Sequence, residues 1–259
     1  MLRTRILSAL VMAPPALLAV WWGGVAFAVL VAVAVAVMCW EWDGIVSKRF
    51  GWPGRVSAIG CVLSVFVALF QPDIAVLIVL AAAAAAAALA PSGDGRPRLW
   101  AGTGALYAGL PAVALVWLRD ESTGGLFLVL WLMLLVWATD IGAYAAGRTI
   151  GGPLLLPRVS PKKTWAGLIG GMVCAALVGI PSATLMPLAP DAMPWWGLCL
   201  AGAALAVVAQ AGDLSESWVK RRWNVKDSSN IIPGHGGVLD RVDGLLAAAL
   251  AVAVVLQWQ

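Results

Sequence analysis

Apolar residues in this chain come in long continuous runs separated by short polar loops. Nine runs lie near residues 6–22, 25–45, 56–71, 74–90, 100–118, 125–146, 166–188, 195–212 and 239–256, the run at 56–71 being the weakest. Most approach the roughly 20 residues that a helix needs to cross a bilayer. Barrel strands would instead alternate apolar and polar positions over about 10 residues, so strands are not expected. The pattern predicts an all-α, polytopic transmembrane helical bundle of about nine spans with no soluble domain. The loops are too short to fold separately, so any chemistry belongs at the membrane surface or inside the bundle.

Composition agrees. Hydrophobic residues make up 62% of the chain and charged residues 12%, against about a quarter charged in soluble domains. The net charge of +4 would suggest nucleic acid as partner of a soluble protein; here the placement of charge matters more, and no nucleic-acid partner is expected. With the amino terminus inside, the inner loops collect every one of the 17 Lys and Arg residues except Arg119, as the positive-inside rule requires. Both basic loops, around Lys162 and Lys226, then face the cytoplasm, while Asp191 falls in an outer loop. Cys39, Cys61, Cys174 and Cys199 lie in separate apolar runs without metal-type spacing and read as small buried hydrophobes.

The first run has signal-peptide features, with Arg3 and Arg5 ahead of it and Ala26-Phe27-Ala28 resembling a cleavage site. That tripeptide sits inside a longer apolar stretch rather than after a polar break, so the first helix is expected to stay. Residues 1–99 read as an amino-terminal membrane scaffold and 100–259 as the catalytic transmembrane domain, the division falling at the turn-rich segment Pro91 to Arg98. Glu41 and Asp43, beside Trp40 and Trp42, read as interfacial acids, and most tryptophans at span ends as interface anchors.

The polar chemistry collects in two places. Ser217 to Asp243 carries Lys220, Arg221, Arg222, Lys226 and Arg241, the acids Asp227, Asp240 and Asp243, and the single histidine, His235. Asp213 opens this region, and if its helix continues, Asp213, Glu216, Ser217 and Lys220 share one face. Asp240 and Asp243 lie one turn apart at the start of the last span, where the amino-terminal amides of a helix attract anions; helix capping is the plainer alternative. Asp140 ends an apolar run, where an acid is expensive unless it faces a cavity, partner or metal; an ion pair with Arg148 is its structural alternative. Ser160, Lys162, Lys163 and Thr164 suit a phosphate grip, with Pro161 fixing the turn, or else form a solvated basic loop.

These residues fall in an order that resembles the signature of the phosphatidate cytidylyltransferases, or CDP-diacylglycerol synthases: Ser217, Lys220-Arg221, Lys226-Asp227, then His235-Gly236-Gly237, Asp240-Arg241 and Asp243. Two further segments match the family, Asp140 through Gly142-Ala143-Tyr144 and Ser160-Pro161-Lys162-Lys163-Thr164-Trp165. Ala166 departs from it, standing where a glutamate is expected.

The resemblance implies an enzyme of the bacterial cytoplasmic (inner) membrane, with its active site facing the cytoplasm. It would transfer the CMP moiety of CTP to phosphatidate and release pyrophosphate. Catalytic roles fall to Asp213, Lys220, Arg221, Lys226, Asp227, His235, Asp240, Arg241 and Asp243, and substrate contacts to Asp140, Tyr144, Arg148, Ser160, Lys162, Lys163, Thr164 and Ser217. Carboxylates alone would repel a triphosphate, so Mg2+ is expected between them, with room for a second cation. Asp213 and Asp240 are the first-choice ligands, Asp243, Asp140 and Glu216 the second. Partners are CTP, phosphatidate and membrane lipids, and a homo-oligomer is compatible with the sequence. A CTP-dependent polyprenol or phytol kinase and, in another class, a transporter are the alternatives. A hydrolase built on Ser217, His235 and Asp240 lacks a nucleophile elbow.

Overall fold

A computed structural model describes residues 2–93, 96–120, 124–185 and 194–257. Its helices are α1 (Leu2–Trp22), α2 (Gly24–Ser47), α3 (Trp52–Val67), α4 (Pro72–Leu89), α5 (Pro97–Asp120), α6 (Gly125–Thr149), α7 (Trp165–Leu185), α8 (Trp195–Arg222) and α9 (Leu239–Gln257). Between α6 and α7 lie two short strands, β1 (Leu154–Leu156) and β2 (Ser160–Thr164). The predicted Asp191 loop lies outside the described residues.

Six described helices, α2 and α4 through α8, have the length and apolarity of a membrane span, so the chain is a helical integral membrane protein. The other three fall short for visible reasons. Helix α1 carries Arg3 and Arg5 in its first turn and Pro14 and Pro15 inside it, and α3 has 16 residues. Helix α9 has 19 residues, but Asp240, Arg241 and Asp243 stand in its opening turns.

The strands correct the helical expectation. They form an antiparallel pair in which Leu154 faces Thr164 and Leu156 faces Ser160, with an irregularity between them. Pro161 does not make the turn but lies within β2; Pro157 to Val159 turn the chain, and the Val159 amide donates to Leu156 O at 3.1 Å. A two-stranded sheet tolerates proline because each strand has an edge that needs no donor.

The described chain forms two compact units, each assembled from separated segments. The first joins Met1–Glu121 to Arg222–Val242, the second Ser122–Arg221 to Asp243–Gln259. In the first unit, α2 through α5 pack together, and Trp42 of α2 joins α5, its indole donating to Trp100 O at 2.9 Å and stacking on Tyr107 at 5.2 Å between centroids. Arg119, the one basic residue predicted outside, donates to Val20 O at 2.6 Å and Trp21 O at 2.9 Å. It thereby covers carbonyls at the carboxyl end of α1, where a cation is favourable.

The same unit overturns the interfacial reading of Glu41 and Asp43, which are 1% and 3% exposed. An acid inside a helical bundle is stable only where donors surround it. Asp43 Oδ2 accepts from the Gly51 amide at 2.8 Å; the donors of Glu41 come from the signature segment.

In the second unit, small residues let helices touch. A Cβ on Gly142 would come within 2.6 Å of Gly170 O and of Cys174 Sγ, which fixes α6 against α7, and a Cβ on Gly147 would come within 3.2 Å of Thr164 Oγ1 at the end of β2. On Gly212 of α8, a Cβ would approach the main-chain carbonyl of Asp243 in α9 to 2.7 Å. This close passage brings the neighbouring Asp213 to the start of that segment.

Candidate active site

Around Asp213 and Asp243, the second unit gathers charges from four elements, α6, β2, α8 and α9. Helix α8 continues unbroken through Asp213, Glu216, Ser217 and Lys220, as the predicted face requires. Lys163 reaches from β2, and its ammonium lies 2.5 Å from Asp213 Oδ2. Ser217 donates to the other oxygen, Oδ1, at 3.3 Å. Asp243 experiences the negative fields of Asp213 and Asp140 and the positive field of Lys163. The side chains of Lys163 and Asp213 remain 20% and 33% exposed, so the pair is reachable from solvent.

One turn further along α8, Lys220 pairs with Glu216 at 2.7 Å, with side-chain exposures of only 9% and 3%. Lys220, expected among the catalytic residues, is here a buried ion-pair partner, and such a pair is strongly destabilised by loss of either member. Arg221, beyond it, is exposed. In the hairpin, Lys162 is exposed and Ser160 half-buried. Thr164 is buried, and its hydroxyl accepts from the Gly167 amide at 3.0 Å, which caps the start of α7. Tyr144 and Arg148 are exposed on α6 and linked, the guanidinium donating to the phenol oxygen at 3.2 Å.

The signature loop of the first unit is organised differently. Asp240 Oδ2 accepts three hydrogen bonds, from Ser228 N and Ser228 Oγ at 2.9 Å and from Gly237 N at 2.8 Å. Between these points Ile232 and Gly236 exchange main-chain hydrogen bonds, and Gly234 and Gly236 take φ of 78° and 88°, backbone that L side chains rarely adopt. His235 sits at the tip, its Nδ1 2.7 Å from Ser8 Oγ of α1. Lys226, Asp227 and Arg241 are exposed. Arg222 lies over the rings of Trp100 and Trp223, 5.6 and 5.7 Å from their centroids.

Glu41 reaches this loop from α2. Its Oε1 accepts from Ser229 Oγ at 2.6 Å and Val238 N at 2.8 Å, and its Oε2 from Leu239 N at 2.8 Å. Sequence reasoning missed it. The rule that flagged Asp140, an acid in an apolar run, applied equally to Glu41, but the flanking tryptophans argued for an interface. Ser228 and Ser229 were missed because nothing in their spacing marks them as loop-closing hydroxyls.

Mg2+ ordinarily takes one or two carboxylates and fills its remaining positions with water and substrate phosphate oxygens. Asp213 and Asp243 offer hard oxygen donors of that kind, so the donor chemistry fits. Among the described residues no three His, Cys, Asp or Glu side chains form a closed cage, which is compatible with a cation shared with substrate. Asp213 and Asp240, the first-choice pair, belong to different units, and Asp240 has one oxygen engaged by the three loop donors.

Residues 3–259 match the model of the cytidylyltransferase family. A phosphatidate cytidylyltransferase of Brucella suis is 39% identical over 255 residues, covering 96% of this chain and 90% of that protein. The Pseudomonas aeruginosa protein of the same name is 36% identical over 270 residues, with 100% and 97% covered. That of Haemophilus influenzae is 41% identical over 154 residues, about half of each chain.

Proposed function

Because this chain belongs to the cytidylyltransferase family, we propose that it makes CDP-diacylglycerol from CTP and phosphatidate. An oxygen of the phosphatidate phosphate attacks the α-phosphorus of CTP. The new phosphoanhydride P–O bond forms as the bond to the β-phosphate breaks, and pyrophosphate leaves with that electron pair. The nucleophile is already ionised near neutral pH, so the protein's task is positioning and charge compensation rather than proton abstraction.

The observation that carries this reading is the solvent-reachable group of Lys163, Asp213 and Ser217 with Asp243 beside it. Asp213 and Asp243 would hold Mg2+, which when bound neutralises part of the triphosphate charge. Lys163 exchanges its carboxylate for a phosphate oxygen as substrate arrives, and Ser217 keeps Asp213 oriented through that exchange. Lys162, exposed on the same strand, adds a second cation, and exposed Arg221 presents a fork suited to two phosphate oxygens.

We place the protein in the bacterial inner membrane with both basic loops in the cytoplasm, counting the shorter α1 and α3 and the charge-fronted α9 with the six long helices as nine crossings. The bias of basic residues supports this, as does the use of Arg119 on the opposite side to cover the end of α1.

Purified protein given CTP, phosphatidate and Mg2+ is expected to release pyrophosphate only when both substrates are present. Formation of CDP with a lipid alcohol would replace this reading with a kinase, and no turnover of either kind would remove the enzymatic reading. For topology, single cysteines near residues 162 and 226 should resist an impermeant thiol reagent in right-side-out vesicles, while one at 191 reacts. The reverse pattern would separate the basic loops from cytoplasmic nucleotide.

A further inference from the structure

Helix α9 begins with main-chain amides that no earlier turn of its own helix can satisfy. Two of the groups at this start, Val238 N and Leu239 N, donate to one carboxylate, that of Glu41, from a helix almost 200 residues earlier. Ser229 adds a third donor at 2.6 Å. With Glu41 only 1% exposed, its charge is stabilised by three donors and by the positive end of the α9 dipole rather than by water. The signature loop is therefore pinned at two ends by two acids: Asp240 ties Ser228 to Gly237, and Glu41 ties Ser229 to Val238 and Leu239.

Gly237 gives an independent sign of the same contact. A Cβ there would collide with Ser228 Oγ and with Glu41 Oε1. The second glycine of the His-Gly-Gly segment thus leaves the space that Ser228 and Glu41 occupy.

We propose that Glu41 is a positioning residue for the cytidylyl transfer, acting through the loop that carries Asp227 and His235 rather than by touching substrate. The role rests on the transferase reading above. Glutamine at 41 would keep one acceptor but turn an amide donor toward main-chain N–H groups. Aspartate would keep the charge but be one methylene too short to reach all three donors.

The test joins two readouts on detergent-purified protein. Amide hydrogen exchange of peptides covering 228–239 should quicken about tenfold or more in Glu41→Gln, as expected when buried donors lose their acceptor. Peptides from α6 and α7 should exchange as in the wild type. In steady-state kinetics, kcat for pyrophosphate release should fall by about tenfold or more, while KM for CTP changes less than threefold. Ser229→Ala should move both readouts the same way by a few-fold, and its effect should shrink in the Glu41→Gln background because the two act through one contact.

Wild-type loop exchange in Glu41→Gln, or quickened exchange with wild-type kcat, overturns the proposal. If Glu41→Gln does not fold, wild-type exchange and kcat in Ser229→Ala overturn it. Wild-type protein without pyrophosphate release instead defeats the transferase reading, and the exchange comparison still decides whether Glu41 holds the loop.

Discussion

Two groups of acids in this molecule are handled in opposite ways. Around the signature loop, Asp240 and Glu41 each receive main-chain amides, which cannot leave without unfolding the loop, together with serine hydroxyls. In the second unit, Asp213 is met by the flexible side chains of Lys163 and Ser217, with Asp243 adding like charge nearby. Main-chain donors turn a carboxylate into a structural clamp. A long lysine, partly in solvent, can be traded for a cation or a phosphate at modest cost. The contrast assigns shape to the first group and ligand exchange to the second, although both are carboxylates carried by largely apolar helices.

The sharpest way to break the contrast is to neutralise one acid in each group. Asp213→Asn should reduce turnover about 10^3-fold, the scale seen when a preorganised charge at a reacting phosphate is lost. Its folding and the exchange of residues 228–239 should remain as in wild type. Excess Mg2+ should recover part of the activity if the residue holds the cation, and a wild-type Mg2+ dependence at near-normal rate would remove Asp213 from the site. Asp240→Asn should cost less, about 10- to 100-fold, through weakened acceptance from three donors. Its signature should be faster loop exchange. If Asp240→Asn leaves the loop unchanged yet raises the Mg2+ requirement, Asp240 is a ligand and the division between the two groups fails.

Much of the helical frame was legible because runs of apolar residues are a direct physical demand of the bilayer. The continuous face from Asp213 to Lys220 was legible for the same kind of reason, since its period matches the helix. Other features depended on partners distant in sequence. The β1–β2 hairpin escaped because Leu154–Leu156 is only three residues long and Pro161 is an ordinary turn former. Lys220 could be recognised as a cation of the signature but not as the buried partner of Glu216, because either a substrate or an acid four residues earlier satisfies its charge. Thr164 could be seen as a hydroxyl of the predicted grip, but its use as the cap of α7 required the backbone. Glu41 was the largest omission, and its donors lie almost 200 residues away.

The smallest expected effect concerns the exposed cations, where the contrast between held and exchangeable charges should be weakest. Lys220 is buried against Glu216, whereas its neighbour Arg221 is exposed and is the candidate for direct contact with phosphate. Arg221→Lys preserves the charge but loses the planar fork that can bind two oxygens at once. A loss of about three- to tenfold in kcat/KM is expected, the cost of one charged hydrogen bond at a partly hydrated position. Varying CTP and phosphatidate separately identifies the phosphate involved, because KM should rise for only one substrate. Lys220→Met should behave differently: it strands the buried Glu216 charge and should lower thermal stability along with activity. Wild-type kinetics for Arg221→Lys together with a stable, inactive Lys220→Met would reverse the assignment, making Lys220 the phosphate ligand and Arg221 a charge that only sets topology.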